Sequence, residues 1–333
     1  MIRAGIIGWG ENGKKIARAL HFDIKDTEVI GIATDDPMGR DYAMRKMGLK
    51  HVFSSPMQLL ELHQIDIICV CSDGDLHLGH VESSIKSGSN IFIDHPLASN
   101  VEDCNKIEKI VDSYPSYKTT VAFPRRFNQQ LDLIQKEIAK GGLGELLRVE
   151  CQTFEKMQLK EAMPSRRMAR KGIFMDLMLQ DIDMVRWLTG SEYASVYVVG
   201  NAKKYPSLKR QGDVDSAMAI ARLTNECMVN FVSSRVVHRG EGFELKVIGT
   251  NGEIGYSSFE PNAGMVSNQD GKPYFISKNE STNDYLPLLK NYVDAVRNGS
   301  KIRYQLKDAT EATRVAVAMT KSYLLGQEIS LKE

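Results

Sequence analysis

Strand-like apolar runs and helical stripes alternate along the first part of the chain. The opening run of Ile2, Ala4, Ile6 and Ile7 is typical of a strand covered on both faces in a parallel sheet. Helical patterns separate four further runs, which predict strands at residues 29–33, 65–71, 90–93 and 119–123. This alternation predicts an α/β fold with a doubly wound parallel Rossmann sheet, in which ligands bind outside the carboxyl ends of the strands.

The pattern changes after residue 123. Short, often alternating runs predict strands at residues 146–154, 193–199, 216–223, 228–234, 243–248 and 253–256. Helices are predicted near residues 128–140, 172–188, 285–297 and 307–325, and a long loop at 258–283. These elements predict an α+β domain with a mainly antiparallel, open-faced sheet and its helices on one side. Since 333 residues are enough for two cores, we predict two domains, at residues 1–122 and 123–333.

Composition and charge narrow the classes of function. Hydrophobic residues make up 42% and charged residues 26% of the chain, as in an ordinary globular protein, and the net charge is +1. We expect no nucleic-acid partner, because binding to a phosphate backbone needs a concentrated positive surface. No apolar run approaches the roughly 18 residues of a membrane span, and the first strand begins at Ile2. We therefore expect a cytoplasmic protein without a membrane partner.

Neither the cysteines nor the histidines follow a disulfide or metal-binding pattern. The cysteines are Cys69, Cys71, Cys104, Cys151 and Cys227, without CxxC spacing. We expect them to be buried thiols in a reducing compartment. His77 and His80 lie three residues apart on a predicted helix, but no third ligand accompanies them, so no metal site is predicted.

The first strand leads into a glycine-rich motif, Gly8-Trp9-Gly10-Glu11-Asn12-Gly13. In such a motif the first glycine allows a tight turn, the second lets the backbone approach a pyrophosphate, and the third lets the next helix pack closely. A second strand ends at Asp35, 22 residues after Gly13, where a carboxylate can bind ribose hydroxyls. The combination predicts a nicotinamide dinucleotide site rather than an ordinary glycine-rich turn.

Charge at the end of the second strand indicates which nicotinamide cofactor binds. Asp35 would repel the 2′-phosphate of NADP, and Asp36 adds to this effect. Because Arg40 could bind a 2′-phosphate, NADP is the alternative. We expect NAD.

Three other stretches are expected at the cofactor cleft. Ser72 to His77 follow one strand, and Asp94-His95-Pro96 end the next. The third is the helix near residues 172–188, where Asp176, Gln180 and Asp183 share one face of an otherwise apolar helix. This polar stripe either bonds to neighbouring backbone or, as we prefer, faces the cleft.

The order of these motifs, together with Phe123-Pro124-Arg125-Arg126-Phe127 and Gly141-Gly142-Leu143-Gly144-Glu145, resembles the glucose-fructose oxidoreductase, inositol dehydrogenase and MocA family. The resemblance covers essentially the whole chain. It implies a Rossmann domain, a substrate-binding and oligomerisation domain, and a homodimer or homotetramer. The implied activity is the NAD(P)-dependent oxidation or reduction of sugars and cyclic polyols.

The resemblance also assigns residues to the site. It implies cofactor contacts from the glycine motif, including Trp9, Glu11 and Asn12, and from Asp35, Ser72, His77 and Asp94. Arg126 should lie near the cofactor or the substrate, whereas the alternative for Arg125 is exposure to solvent. Asp176 and Gln180 should bind substrate hydroxyls.

Two departures from the family pattern fall on its catalytic positions. The lysine of the family's Glu-Lys-Pro tripeptide is matched by His95, and the histidine on the site helix is matched by Gln180, which cannot titrate. Asp176 is retained. Oxidation of a hydroxyl must move a proton as well as a hydride, and a histidine with a reference pKa of about 6.5 can exchange one near neutrality.

We therefore predict that His95 is the acid/base and that Asp176 and Gln180 orient the substrate. The alternative is that chemistry has been lost and a cofactor-binding sensor remains, as in the non-enzymatic galactose repressor of fungi.

A basic run precedes the site helix. It consists of Lys156, Lys160, Arg166, Arg167, Arg170 and Lys171, with Glu161 the one acid between them. A solvated face is the ordinary interpretation. The alternative is an anionic substrate, such as a phosphorylated sugar, a uronate or a nucleotide sugar, held by arginine side chains such as that of Arg167.

Overall fold

The computed structural model describes residues 1–62, 64–156, 172–238, 240–259, 266–269, 272–275 and 285–331. The chain divides into two compact units. The first contains Met1–Pro124 and Thr282–Thr313, and the second contains Arg125–Ser281 and Arg314–Glu333. The first change of unit lies close to the predicted boundary after residue 122, whereas the placement of Thr282–Thr313 in the first unit differs from the predicted division.

A six-stranded sheet with the order β3-β2-β1-β4-β5-β6 forms the centre of the first unit. All its pairs are parallel, which confirms the predicted doubly wound sheet. The strands are β1 (Ile2–Ile7), β2 (Thr27–Ala33), β3 (His51–Phe53), β4 (Ile67–Val70), β5 (Asn90–Asp94) and β6 (Thr119–Ala122). The helices between them are α1 (Glu11–Arg18), α2 (Pro37–Met47), α3 (Pro56–Leu60), α4 (His77–Lys86) and α5 (Val101–Asp112).

The strand order reverses direction at β1, which pairs with β2 on one side and β4 on the other. Backbone hydrogen bonds continue past the strand ends, from Gly8 N to Ala33 O at 2.9 Å and from Cys71 N to Ile7 O at 2.7 Å. The loops that follow β1, β2 and β4 therefore begin side by side. Crevices at such reversal points are where doubly wound sheets bind nucleotides.

A late helix of the chain belongs to the first unit. It is α8 (Tyr285–Asn298), whose Tyr292 ring packs 5.4 Å from that of Phe92 on β5. The Tyr292 hydroxyl donates to Lys118 O at 2.9 Å. Burial of this apolar face explains why Thr282–Thr313 groups with the first unit.

The second unit contains a nine-stranded sheet with the order β14-β13-β12-β11-β7-β10-β9-β8-β15. The pair β7–β10 is parallel and the other described pairs are antiparallel, so the predicted mainly antiparallel sheet is confirmed. The strands are β7 (Leu146–Phe154), β8 (Tyr193–Asn201), β9 (Ser216–Leu223), β10 (Met228–Ser234), β11 (Gly242–Gly249), β12 (Gly252–Ser257), β13 (Val266–Gln269), β14 (Lys272–Phe275) and β15 (Ile329–Ser330).

Strands β13 and β14 lie within residues 258–283, where a long loop was predicted. β13 pairs with β12 and β14 pairs with β13, which extends the sheet by two strands that the local sequence does not signal. Three longer α-helices are α6 (Gln129–Ala139), α7 (Met178–Thr189) and α9 (Leu306–Leu325). Within the described part of the chain, no helix combines the length and apolar character needed to cross a membrane.

Candidate cofactor and catalytic site

The glycine loop between β1 and α1 has the shape of a phosphate cradle. Gly8 has a φ of 95°, and a Cβ there would lie 2.5 Å from the Cys71 carbonyl carbon and oxygen. A Cβ on Gly13 would lie 2.7 Å from Gly8 O, whereas one on Gly10 would meet no atom within 4 Å. Gly8 and Gly13 are thus needed for packing, and Gly10 borders open space.

The start of α1 suits an anion. Gly10 occupies the N-cap position, and no side chain caps this end of the helix. The first amide groups and the positive end of the helix dipole are therefore available to a phosphate. This geometry fits the pyrophosphate of a dinucleotide.

The other residues of the glycine loop have separate roles. Trp9 is only 2% exposed and packs against α2, where its ring lies 6.4 Å from that of Tyr42. The Glu11 carboxylate is exposed and pairs with Lys14 at 2.9 Å. Asn12 turns inward, and its Nδ2 donates to Asp94 Oδ2 at 3.1 Å.

The two acids after β2 differ in their contacts. Asp36 is the N-cap of α2 and accepts from Met38 N at 3.1 Å and Gly39 N at 3.0 Å. Asp35 is exposed and makes no hydrogen bond or ion pair with the described residues. The Asp35 carboxylate is therefore available to a ribose, whereas the Asp36 carboxylate caps α2. Arg40 donates to Thr34 O at 2.8 Å.

We expect Asp35→Ala to lower the preference for NADH over NADPH by about tenfold, because it removes a hydroxyl acceptor and a charge that repels the 2′-phosphate. The measurement is titration of both reduced cofactors by fluorescence. Asp36→Ala is the matched control: it should cost about 1 kcal/mol of stability through loss of the helix cap and change the preference less than Asp35→Ala does. An unchanged ratio in Asp35→Ala would contradict the assignment of Asp35.

Asp94 is the last residue of β5, His95 follows it, and both are buried. His95 Nδ1 lies 3.3 Å from Asp94 Oδ1, and the two residues are 8% and 5% exposed. Asp94 also accepts from the Tyr285 hydroxyl at 2.7 Å, in addition to Asn12. Phe123 flanks the imidazole at a ring distance of 5.9 Å. Asn12 from the glycine motif and Tyr285 from α8 thus fix the position of the Asp94 carboxylate.

Asp94 places a carboxylate next to the imidazole of His95. Its Oδ1 lies within ion-pair distance of Nδ1, but Nδ1 makes no hydrogen bond with it. Asp94 was predicted as a cofactor contact, and its described partners are Asn12, His95 and Tyr285. Sequence reasoning missed Tyr285, because nothing in the sequence around the first residue of α8 indicates a partner 191 residues earlier.

His77 joins the two loops that follow β4 and β5. Its ring is fully buried, with Nε2 2.9 Å from Ser72 O and Nδ1 3.0 Å from Pro96 O. Ser72 Oγ lies 2.8 Å from Nδ1 of His80. Burial, together with the neighbouring His77, lowers the pKa of His80 below 6.5. His77 was predicted as a cofactor contact, and the structure places both its nitrogens against backbone carbonyl oxygens.

The predicted polar stripe in the second unit is divided. Residues 172–176 are helical, Leu177 forms a turn, and α7 follows. Asp176 and Gln180 are partly exposed, whereas Asp183 is 1% exposed and does not belong to an open stripe. Arg126 binds Asp183 through two bonds, of 2.8 and 2.7 Å. The cost of burying either charge alone explains this pairing.

Arg125 is also buried in an ion pair, so the solvent-exposed alternative is wrong. Its guanidinium donates to Asp181 and, at 3.0 Å, to Thr153 Oγ1. It also lies 4.1 Å above the Phe243 ring. Arg167 and most of the predicted basic run fall within residues 157–171, outside the described residues.

The cysteines are free and buried, as predicted. Burial raises the pKa of Cys104 and of Cys227 to about 11 and raises the pKa of Cys69 further. These three thiols are therefore protonated near neutrality and unsuited to nucleophilic chemistry. Among the described residues, no group of three or more His, Cys, Asp or Glu side chains could hold a metal ion.

Family models match both parts of the chain. Residues 2–120 match the oxidoreductase family with an NAD-binding Rossmann fold, and residues 132–255 match the GFO/IDH/MocA C-terminal domain. The chain belongs to the GFO/IDH/MocA family of oxidoreductases. Its cofactor is NAD, which agrees with the open glycine loop and the exposed carboxylate of Asp35.

Relatives of this GFO/IDH/MocA protein align over nearly its full length. The scyllo-inositol 2-dehydrogenase (NAD(+)) of Bacillus subtilis is 25% identical, covering 99% of this chain and 96% of its own. The myo-inositol 2-dehydrogenase of Thermotoga maritima is 23% identical, covering 100% and 99%. A crystal structure of scyllo-inositol dehydrogenase from Lactobacillus casei with NAD(H) and scyllo-inositol superimposes with a TM-score of 0.86, at 20% identity and 99% coverage of both chains. This last likeness supports the fold.

Proposed function

We propose that this protein is an NAD-dependent dehydrogenase of sugars or cyclic polyols in which His95 transfers the hydroxyl proton. The bound cofactor supplies the hydride acceptor. The chain must supply a group that takes the proton from the hydroxyl. In this proposal His95 is that group, and Asp176 and Gln180 bind substrate hydroxyls. The inositol substrates in the names of two relatives support the substrate class.

The contact between Asp94 and His95 carries this proposal. Asp94 Oδ1 lies 3.3 Å from His95 Nδ1, within ion-pair distance, so the imidazole has a neighbouring carboxylate, as general bases in enzymes commonly have. Asn12 and Tyr285 both donate to that carboxylate, so its position is constrained. An imidazole kept only for packing would not need a carboxylate held by two other donors.

The test is turnover of purified protein with NAD⁺ and a panel of myo-inositol, scyllo-inositol, D-glucose and D-glucuronate, followed by NADH absorbance. Reduction of NAD⁺ with at least one of them supports the proposal. Tight NADH binding without turnover of any compound, in either direction of the reaction, would contradict it.

The alternative function is a cofactor-binding sensor without catalysis. The low exposure of His95, 8%, favours this alternative, because an acid/base must reach its substrate. The same panel separates the two functions, since a sensor binds NADH and leaves every compound unchanged.

We also propose that the protein is a cytoplasmic homodimer or homotetramer assembled through the open face of the second sheet. Met218, Ile220 and Met228 on β9 and β10 are more than half exposed. Met218 pairs across the sheet with Val199, which is 50% exposed, so the apolar surface continues onto β8. A self-complementary apolar surface of this kind is typical of a twofold interface. Free thiols at all five cysteines support the compartment.

We expect Ile220→Asp to convert the oligomer into monomers or smaller assemblies, because a carboxylate would be buried in the apolar interface. The molar mass is measured by light scattering during size-exclusion chromatography. Met57→Asp replaces a similarly exposed residue on α3 and should leave the mass unchanged. A monomeric wild type, or an unchanged mass in Ile220→Asp, would refute this interface.

A further inference from the structure

Arg235 is a buried arginine beside the site helix of the second unit. It follows β10 directly and is 2% exposed. Its backbone N donates to Asp215 O at 2.7 Å. Its guanidinium donates through Nη1 to Asp213 Oδ2 at 2.6 Å and through Nη2 to Asp176 Oδ2 at 3.4 Å. One side chain thus links two carboxylates.

Asp213 connects the same guanidinium to the start of the helical segment that carries Asp176. Its Oδ2 accepts from Arg235, and its Oδ1 accepts from Ile173 N at 2.8 Å. Asp213 is 3% exposed, so both bonds are shielded from water. The position of Asp176 is therefore constrained both by the backbone of its segment and by its own carboxylate.

Only one of the two carboxylate oxygens of Asp176 is bonded to Arg235. The side chain is 37% exposed, and within the described parts of the chain Arg235 is its one hydrogen-bonding or ion-pair partner, through Oδ2. Oδ1 can therefore accept a hydrogen bond from a ligand hydroxyl. Gln180 lies one helical turn further and is also partly exposed. Its amide can donate and accept, so the pair suits two neighbouring hydroxyl groups.

The charge of this cluster is unfavourable for an anion. Arg235 balances one of its two carboxylates, so the three side chains of the cluster, counted among the described residues, carry a net charge of about −1. Arg125 and Arg126, in the same unit, are paired with Asp181 and Asp183. An anionic substrate would meet like charge, whereas a neutral polyol would donate a hydrogen bond.

We propose that Arg235 is a positioning residue that presents Asp176 to the substrate, and that the Asp213–Arg235–Asp176 cluster selects neutral polyhydroxy compounds over anionic ones. This inference rests on the proposed dehydrogenase function. It assigns a role to a residue that does not itself contact the substrate. It also opposes the anionic alternative suggested by the basic run.

The first experiment replaces Arg235 by lysine and Asp176 by asparagine, singly and together, and measures kcat and KM with the inositol that wild type oxidises. Lysine lacks the planar fork in which Nη1 binds one carboxylate and Nη2 the other, so Arg235→Lys should raise KM about tenfold with a smaller change in kcat. The double variant should be no worse than Asp176→Asn alone, because Arg235 acts through Asp176. NADH binding should stay unchanged.

Arg186→Lys is the matched control. Arg186 is 8% exposed and makes a two-bond pair with Glu192, at 2.7 and 2.6 Å, on the helix that carries Gln180. If loss of any buried ion pair raised KM, this variant would do so too. Additive effects of Arg235→Lys and Asp176→Asn, or an equal rise in KM in Arg186→Lys, would overturn the positioning role.

The second experiment compares D-glucose with D-glucuronate, which differ by a carboxylate. Each is measured as a substrate or, where it is not oxidised, as a competitive inhibitor of inositol oxidation. Wild type should bind the neutral sugar about tenfold more tightly, and Asp176→Asn should reduce this ratio by removing a charge. Equal or tighter binding of D-glucuronate to wild type would overturn the selection. An absence of wild-type turnover would overturn the dehydrogenase proposal and this inference with it.

Discussion

Replacing His95 by alanine is expected to lower kcat by about 10²- to 10⁴-fold, the usual contribution of a general acid/base. Proton transfer from the substrate hydroxyl then has to proceed through water. Gln180 cannot replace the imidazole, because an amide does not titrate. The Asp94 carboxylate keeps its donors Asn12 and Tyr285 in this variant, so the loop should keep its conformation.

The measurement combines kcat for the inositol that wild type oxidises with NADH affinity. Energy transfer from tryptophan reports binding, since Trp9 lies in the glycine loop and the chain has only 2 tryptophans. NADH affinity should change by less than about threefold, within the scatter of single contacts. His51→Ala removes an exposed imidazole on β3 and should leave kcat unchanged. Retention of more than about a tenth of kcat in His95→Ala would assign proton transfer to another group.

The second large effect is expected in the glycine loop. Gly8→Ala should lower the stability of the fold, whereas Gly10→Ala should lower the affinity for NADH. An alanine at Gly8 places its Cβ 2.5 Å from the Cys71 carbonyl, at a φ of 95°, so the fold should lose about 2–4 kcal/mol. An alanine at Gly10 meets no protein atom within 4 Å, so stability should stay near that of wild type. Its methyl group borders the space for the pyrophosphate, and NADH affinity should fall at least about tenfold.

Thermal unfolding without cofactor and NADH titration separate these two effects. Gly48→Ala serves as a control for glycine replacement, because its φ of 69° is also left-handed but its Cβ would meet no atom within 4 Å. It should lose stability only modestly and bind NADH normally. If Gly10→Ala bound NADH as tightly as wild type, the assignment of the pyrophosphate site to the start of α1 would be wrong.

Much of the first unit could be predicted because its signals are local. Apolar strand runs, the spacing of the glycines and a carboxylate at a strand end can each be recognised within a short stretch of sequence. The same holds for Asp36, whose capping role depends on the next three residues. The choice of NAD and the doubly wound sheet followed from these features.

The partners of the charged side chains were decided by tertiary structure. Asp183 was predicted to face the cleft, yet it binds Arg126, 57 residues away. The spacing of Asp176, Gln180 and Asp183 indicates a common helix face. In the structure a turn at Leu177 interrupts the helix, and the Arg126 guanidinium binds Asp183. A helical period cannot reveal which residues carry a buried countercharge.

The sequence by itself determined the fold class and the cofactor loop, because both depend on residue type and short spacing. Only the tertiary structure decided that Tyr285 holds Asp94 and that Arg235 holds Asp176, across 191 and 59 residues. The physical reason is that a buried polar group must find its partner wherever the packed core brings one within reach.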